Sequence, residues 1–308
     1  PFLVNFFTDP NIIRLPYIFR RAIAELIAAR RTKKEAGTSY GLLGDKSPLL
    51  ENTQAQAAAL EEKLRLELSG YDIKTFVCMR YWHPMADQVV QDVKAFAPDE
   101  IVLLPLYPQY STTTTRSSLQ DWQKVCQTHG LSVSTSTICC YPFGAGVIEA
   151  PAQLVKTAYL AAQVQLEAKG LPAPRILFSA HGLPESIIEE GDPYQWQCEQ
   201  AAEKIAAAMN LPDLDWQICY QSRVGPKKWL VPRTADALHK AAKDQVPVLV
   251  YPHAFVSEHV ETLVEIEQEY RHVADEIGVP WFGRVETVGT ASRFIDGLAD
   301  MVTSSLGT

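Results

Sequence analysis

Short runs of apolar residues alternate along the chain with longer stretches in which apolar positions recur at helical spacing. The runs 73–79 (IKTFVCM), 101–106 (IVLLPL), 132–138, 175–180 (RILFSA), 215–220 and 246–251 (VPVLVY) read as strands. Helical patterns lie between them, at about 84–96, 115–128, 147–169, 195–209, 234–243 and 258–277. Ahead of the first strand, an apolar opening from Phe2 to Ile13 leads into a helical pattern through Ile18, Ile23, Leu26 and Ile27 that ends at Arg30 and Arg31. A polar loop over 32–48 follows, then a helix at about 51–69 stopped by Gly70. The segment 291–305 reads as a C-terminal helix. Strands alternating with helices imply parallel βαβ units under helical cover. The pattern therefore predicts an α/β fold of two doubly wound, parallel-sheet lobes. The first is 1–146, joined by a C-terminal helix at 290–308, and the second is 147–289.

Composition narrows the function classes. Of 308 residues, 47% are hydrophobic and 21% charged, which suits a packed globular protein and not a disordered one. A formal net charge of −8 argues against nucleic acid as the partner, because phosphate backbones select basic surfaces. No apolar run reaches the roughly 18 residues of a membrane-spanning helix, and no signal peptide is read at the start. The six cysteines include no C-x-x-C pair, which predicts reduced thiols in a cytoplasmic protein.

In open parallel sheets ligands bind beyond the carboxyl ends of the strands. Those ends read Arg80-Tyr81-Trp82-His83, Tyr107-Pro108-Gln109-Tyr110, His181-Gly182-Leu183-Pro184, Gln221-Ser222-Arg223 and His253-Ala254-Phe255, the last leading to Glu258, His259 and Glu261. One rim thus collects histidines, aromatics, arginines and carboxylates, a combination suited to a flat aromatic anion beside a metal or a proton relay. Glu258, Glu261, Glu265 and Glu269 are spaced three, four and four apart, which places them on one face of an α-helix. Aligned carboxylates repel, so a cation nearby would relieve them. A solvated acidic face is the plainer reading of such a row. Two glycine patterns lead nowhere. Gly41-x-x-Gly44 lacks the Gly-Lys pair of a phosphate loop, and Gly144-Ala145-Gly146 lacks the third glycine of a dinucleotide site.

The strings MRYWHP, LYPQYS, FSAHGLPESIIEEGDPY, YQSRVGPKKWLVP and HAFVSEHVETLVEIEQEY, with ARRTKK and GDKSPLL before them, resemble the ferrochelatases in order from about residue 2 to about residue 270. The resemblance implies two Rossmann-like lobes with a porphyrin cleft between them, and insertion of Fe²⁺ into the porphyrin. It makes His181 the essential histidine and puts Glu261 opposite it across the ring, both as metal ligands and as proton acceptors. Neutral imidazole suits ferrous iron and also takes up protons near neutral pH. His259 and Glu258 would support the pair, and Glu265 and Glu269 resemble a path for iron entry or proton exit. Arg80 and Tyr81 would line the iron side. Arg30, Arg31, Lys34, Tyr40 and Ser47 resemble the porphyrin-contacting segment, where arginine can grip propionates through paired hydrogen bonds. Tyr110 and Trp229 would stack on the macrocycle.

The resemblance further implies that Phe2 to Leu15 form an apolar lip, giving weak contact with the inner face of the membrane. Iron and porphyrin enter as substrates and no cofactor is required. A [2Fe–2S] cluster is not expected, since no cysteine follows Cys219. The family opens with a further strand and a Gly/Pro turn that this sequence lacks, which would cost the first lobe a strand. Similarity to the protoporphyrin-using branch favours protoporphyrin IX over coproporphyrin III. A cobalt chelatase of the same architecture and a non-catalytic porphyrin or haem carrier are the competing functions. Oligomeric state is not legible.

Overall fold

The computed structural model describes residues 2–35 and 47–306, with side chains outside 30–46. The chain forms two compact units. One is Pro1–Leu106 with Tyr110–Cys140 and Ala299–Thr308, and the other is Tyr107–Gln109 with Tyr141–Leu298.

In the first unit, helices α1 (Phe2–Phe7), α2 (Tyr17–Glu35) and α3 (Leu49–Glu67) precede α4 (Ala86–Phe96), β1 (Glu100–Leu103), α5 (Thr115–His129) and β2 (Ser134–Thr137). Strands β1 and β2 run parallel, with Glu100 opposite Ser134. The core is built by Val89, Val90 and Val93, at helical spacing on α4, with Ala86 and Trp122. Residues 73–79 depart from expectation. The segment joins no ladder, and Met79 alone forms an isolated bridge, to Met85. An apolar alternation supplies a face to bury, but a strand also needs a neighbour for its N–H and C=O groups. Here Phe76 packs against the α4 core without such a neighbour among the described residues.

The second unit holds a four-stranded parallel sheet in the order β4-β3-β5-β6. Its strands are β3 (Arg175–His181), β4 (Trp216–Gln221), β5 (Val248–Pro252) and β6 (Phe282–Arg284), the last not anticipated from the sequence. Central β3 is buried on both faces, which explains its unbroken apolar run. Alternation sorts its side chains. Ile176 and Phe178 pack with Leu249 and Tyr251 against α6 (Ala145–Glu167) and α8 (Tyr194–Ala208). Leu177 packs on the other face, with Val248 and Val250, against α9 (Thr234–Asp244) and the helices beyond β5. Helix α7 (Glu185–Glu189) follows β3.

The helix expected at 258–277 is of two kinds. Glu261–Tyr270 is a π-helix, and Arg271–Ile277 continues it as α10. Long π-helical stretches are rare and concentrate at functional sites. Residues Ser292–Ser305 form α11. No helix among the described residues is long and apolar enough to cross a membrane.

Candidate active site

His181 is the last residue of β3, so its imidazole emerges where the parallel strands end. Its main-chain carbonyl accepts a hydrogen bond from the Tyr194 hydroxyl at 2.9 Å. Next to it, Gly182 lies so close to β4 that a Cβ would stand 2.9 Å from the Gln221 carbonyl oxygen, which is why a side chain is excluded there. The imidazole Nδ1 is 2.6 Å from the Gly182 carbonyl oxygen. A carbonyl can only accept, so Nδ1 carries a proton there, and Nε2 is the ring nitrogen left facing Glu261.

That Nε2 lies 3.8 Å from Oε1 of Glu261, the first residue of the π-helix, and both side chains are 37% exposed. On the other side of the carboxylate, His259 Nε2 stands 3.5 Å from Oε2. Burial works against ionising Glu261, but the charge of His181 and the hydrogen bond and charge of His259 outweigh it and bring its pKa down to about 2. A carboxylate that stays ionised across the physiological range therefore faces the Nε2 edge of the His181 imidazole. The imidazole of His259 packs 4.9 Å from the Phe255 ring, and its Nδ1 is buried without a partner. Trp229 sits 6.4 Å from the His181 ring at a tilt of 46°, and its indole N–H is also buried without a partner.

The remaining glutamates do not form the uniform row that an α-helical spacing predicts. Glu258 precedes the π-helix and turns to Arg284 Nη1 at 2.8 Å and the Thr287 N–H at 2.9 Å, with the Thr262 hydroxyl also bonded to it. Burial raises its pKa, and these donors more than reverse the effect. The cation that relieves it is thus a protein arginine. Glu265 accepts from the N–H of Ser222 at 2.8 Å, its hydroxyl at 2.5 Å, Gln221 Nε2 at 3.0 Å and the Tyr270 hydroxyl at 3.1 Å. Glu269 is exposed, and its pKa is pushed up by burial and by the charge of Glu265. His253, a rim candidate by sequence, is a core residue. It is 1% exposed, its Nε2 is 3.0 Å from the Cys198 carbonyl oxygen, and burial lowers its pKa to about 4, so it is neutral.

In the other unit, Arg80 and Tyr81 gather around a residue that the sequence reading missed. Asp9 Oδ2 accepts from Arg80 Nη2 at 2.9 Å, from the Tyr81 hydroxyl at 2.8 Å and from the Ser117 hydroxyl. The signal available was a lone acid closing an apolar helix. Burial raises the Asp9 pKa, but Ser117, Asn11, Tyr81 and Arg80 together bring it below the ordinary value. Tyr110 is half-buried, and the Ser47 hydroxyl accepts from the Leu49 N–H at 3.4 Å near the start of α3. Arg30, Arg31 and Lys34 lie on α2 with side chains outside the described set, and Tyr40 falls outside the described residues altogether.

Among the described residues, no three His, Cys, Asp or Glu side chains are arranged to hold a metal ion. His181 Nε2 and His259 Nε2 stand on either side of the Glu261 carboxylate.

A model of the ferrochelatase family matches residues 1–306. A ferrochelatase of Caulobacter vibrioides is 48% identical over 308 residues, covering 100% of this chain and 85% of its own. One from Wolbachia of Drosophila simulans is 48% identical over 301 residues, covering 98% of this chain and 92% of its own. Among solved structures, SirB from Bacillus subtilis with Fe³⁺ superposes with a TM-score of 0.54 at 15% identity, covering 82% of this chain and 89% of that one, a likeness of fold. With full-length relatives at that identity, a matching family model and a chelatase fold, this chain belongs to the ferrochelatase family.

Proposed function

We propose that His181 and Glu261 carry out in this chain the reaction of its family, insertion of Fe²⁺ into a porphyrin to form haem, and that the porphyrin is protoporphyrin IX. One observation carries the assignment: an ionised carboxylate and the Nε2 of an imidazole whose Nδ1 is held by a carbonyl stand 3.8 Å apart, both open to solvent. Metallation exchanges two pyrrole N–H protons for one Fe²⁺, so the site must first strip water from a dication and then accept protons. Glu261 attracts the cation electrostatically, and His181 offers a nitrogen ligand that can afterwards hold a proton. His259 keeps Glu261 ionised and oriented from the far side. The reaction needs the pyrrole lone pairs turned out of the ring plane, and binding energy along the macrocycle of about 1–5 kcal/mol is the scale of strain such sites apply. Trp229, beside His181, offers a surface for the ring.

Weak contact with a membrane surface belongs to the same reading. Phe2, Leu15, Tyr17, Ile18 and Phe19 are all exposed, and such a patch can dip into a lipid interface. Flotation with anionic phospholipid vesicles, comparing the parent with Ile18→Asp, tests it. The parent floats and the variant does not, whereas equal behaviour refutes the contact.

The function itself is tested by anaerobic incubation with Fe²⁺ or Co²⁺ and with protoporphyrin IX or coproporphyrin III, followed by visible spectroscopy. Fastest metallation with Fe²⁺ and protoporphyrin IX is expected. Porphyrin binding without metallation by any pair would indicate a carrier.

A further inference from the structure

Gln221 ends β4 in register with His181 at the end of β3, and it is 2% exposed. Its amide oxygen accepts from the Ser179 hydroxyl at 2.8 Å, and that hydroxyl lies 2.8 Å from the hydroxyl of Thr234. Its Nε2 donates twice, to the main-chain carbonyl of Glu261 at 3.2 Å and to Oε2 of Glu265 at 3.0 Å. One buried amide thus ties the end of the sheet to the first turn of the π-helix, at the residue whose side chain meets His181.

Glu265 belongs to the same bridge. With the N–H and hydroxyl of Ser222 and the hydroxyl of Tyr270, its carboxylate collects four donors. A carboxylate has about four acceptor positions, so these donors occupy it fully. Ser222 adopts φ 64°, a conformation uncommon outside glycine, and it is in that conformation that its N–H and hydroxyl both reach this carboxylate.

We propose that Gln221 is a positioning residue for metallation, setting the His181–Glu261 separation, and that Glu265 anchors this bridge instead of receiving iron on its way in. The proposal rests on the reading of His181 and Glu261 as the reacting pair. A bridge of this kind acts on the rate of the reaction and not on the capture of porphyrin. Misplacing a reacting group by about 1 Å is enough to cost about a hundredfold in rate.

The test is a double-mutant cycle of Gln221→Met and Glu265→Gln, assayed with Fe²⁺ and protoporphyrin IX under anaerobic conditions, with folding followed by circular dichroism. Each single variant is expected to lose about tenfold to a hundredfold in kcat, with KM for porphyrin within about twofold of the parent. The double variant should be no worse than the more impaired single, because both changes break one device. Three results overturn the proposal: parental kcat in folded Gln221→Met, multiplication of the two losses, or a raised KM for Fe²⁺ at unchanged kcat in Glu265→Gln, the mark of an iron path. Should Gln221→Met not fold, Tyr270→Phe takes its place in the cycle with the same criteria. An inactive parent would instead remove the proposed function itself.

Discussion

The two units grow from the same alternation of apolar runs and amphipathic helices, yet they use it differently. In the second unit four parallel strands are paired, and Ile176, Leu177 and Phe178 of β3 are 0% exposed, covered on both faces. In the first unit two short strands pair, and residues 73–79 join no ladder among the described residues. The first unit also carries the exposed apolar residues of α1 and α2. The chemistry follows the difference. The pair proposed to react, His181 and Glu261, stands on the fully paired sheet and the π-helix. The exposed apolar residues proposed to touch a membrane, Phe2, Leu15, Tyr17, Ile18 and Phe19, stand on the first unit.

Four perturbations probe this contrast. Phe178→Ala empties the middle of the second core and should cost about 3–5 kcal/mol by denaturant unfolding, the scale for a buried aromatic. Asp9→Ala should cost about 2–3 kcal/mol in the first unit, because it removes the carboxylate that Arg80, Tyr81 and Ser117 share, while Asp121 still faces Arg80 at 3.5 Å. Phe76→Ala should cost about 1–2 kcal/mol, since that side chain is half-buried on an unpaired segment. Equal losses at Phe76 and Phe178 would erase the distinction. Hydrogen exchange sharpens the same point, with amides of 74–78 expected to exchange well before those of β3.

The fourth and smallest effect is acid sensitivity, read from pH titrations of unfolding. The native pKa values of Asp9 and Glu258 lie below the ordinary ones. Each therefore contributes stability that is present above its unfolded value of about 4 and is lost as the pH falls through its lower native value. Glu258→Gln should flatten that slope for the second unit, and an unchanged slope would contradict the pairing with Arg284.

Much of this was legible because burial writes itself into apolar patterns. The run 175–180 became β3, with His181 closing it, and the chain to either side of 147–169 folded as α/β. The lack of a ladder at 73–79 among the described residues was not legible, because pairing depends on a neighbour elsewhere in the chain. Nor was the π-helix, since helical periodicity over ten residues does not distinguish a turn closed at five residues from one closed at four. That difference is why the four glutamates, a single face on paper, have separate partners. Asp9 and Arg284 escaped notice, and Gln221 was read only as a strand end, for a related reason. Their roles lie in contacts across many residues, and only Asp9, a lone acid after an apolar helix, carried a local signal. His253 and His259 looked alike as rim histidines, and packing makes the first a neutral core residue and the second a neighbour of Glu261.

The most direct test of the central claim is single-turnover metallation by His181→Ala and Glu261→Gln, with porphyrin binding measured in the same samples by fluorescence. Porphyrin binding retained and metallation lowered at least about a hundredfold in both variants is the predicted outcome, the scale of a lost ligand and proton acceptor. Near-parental metallation in either variant would contradict the assignment of that residue to the reacting pair.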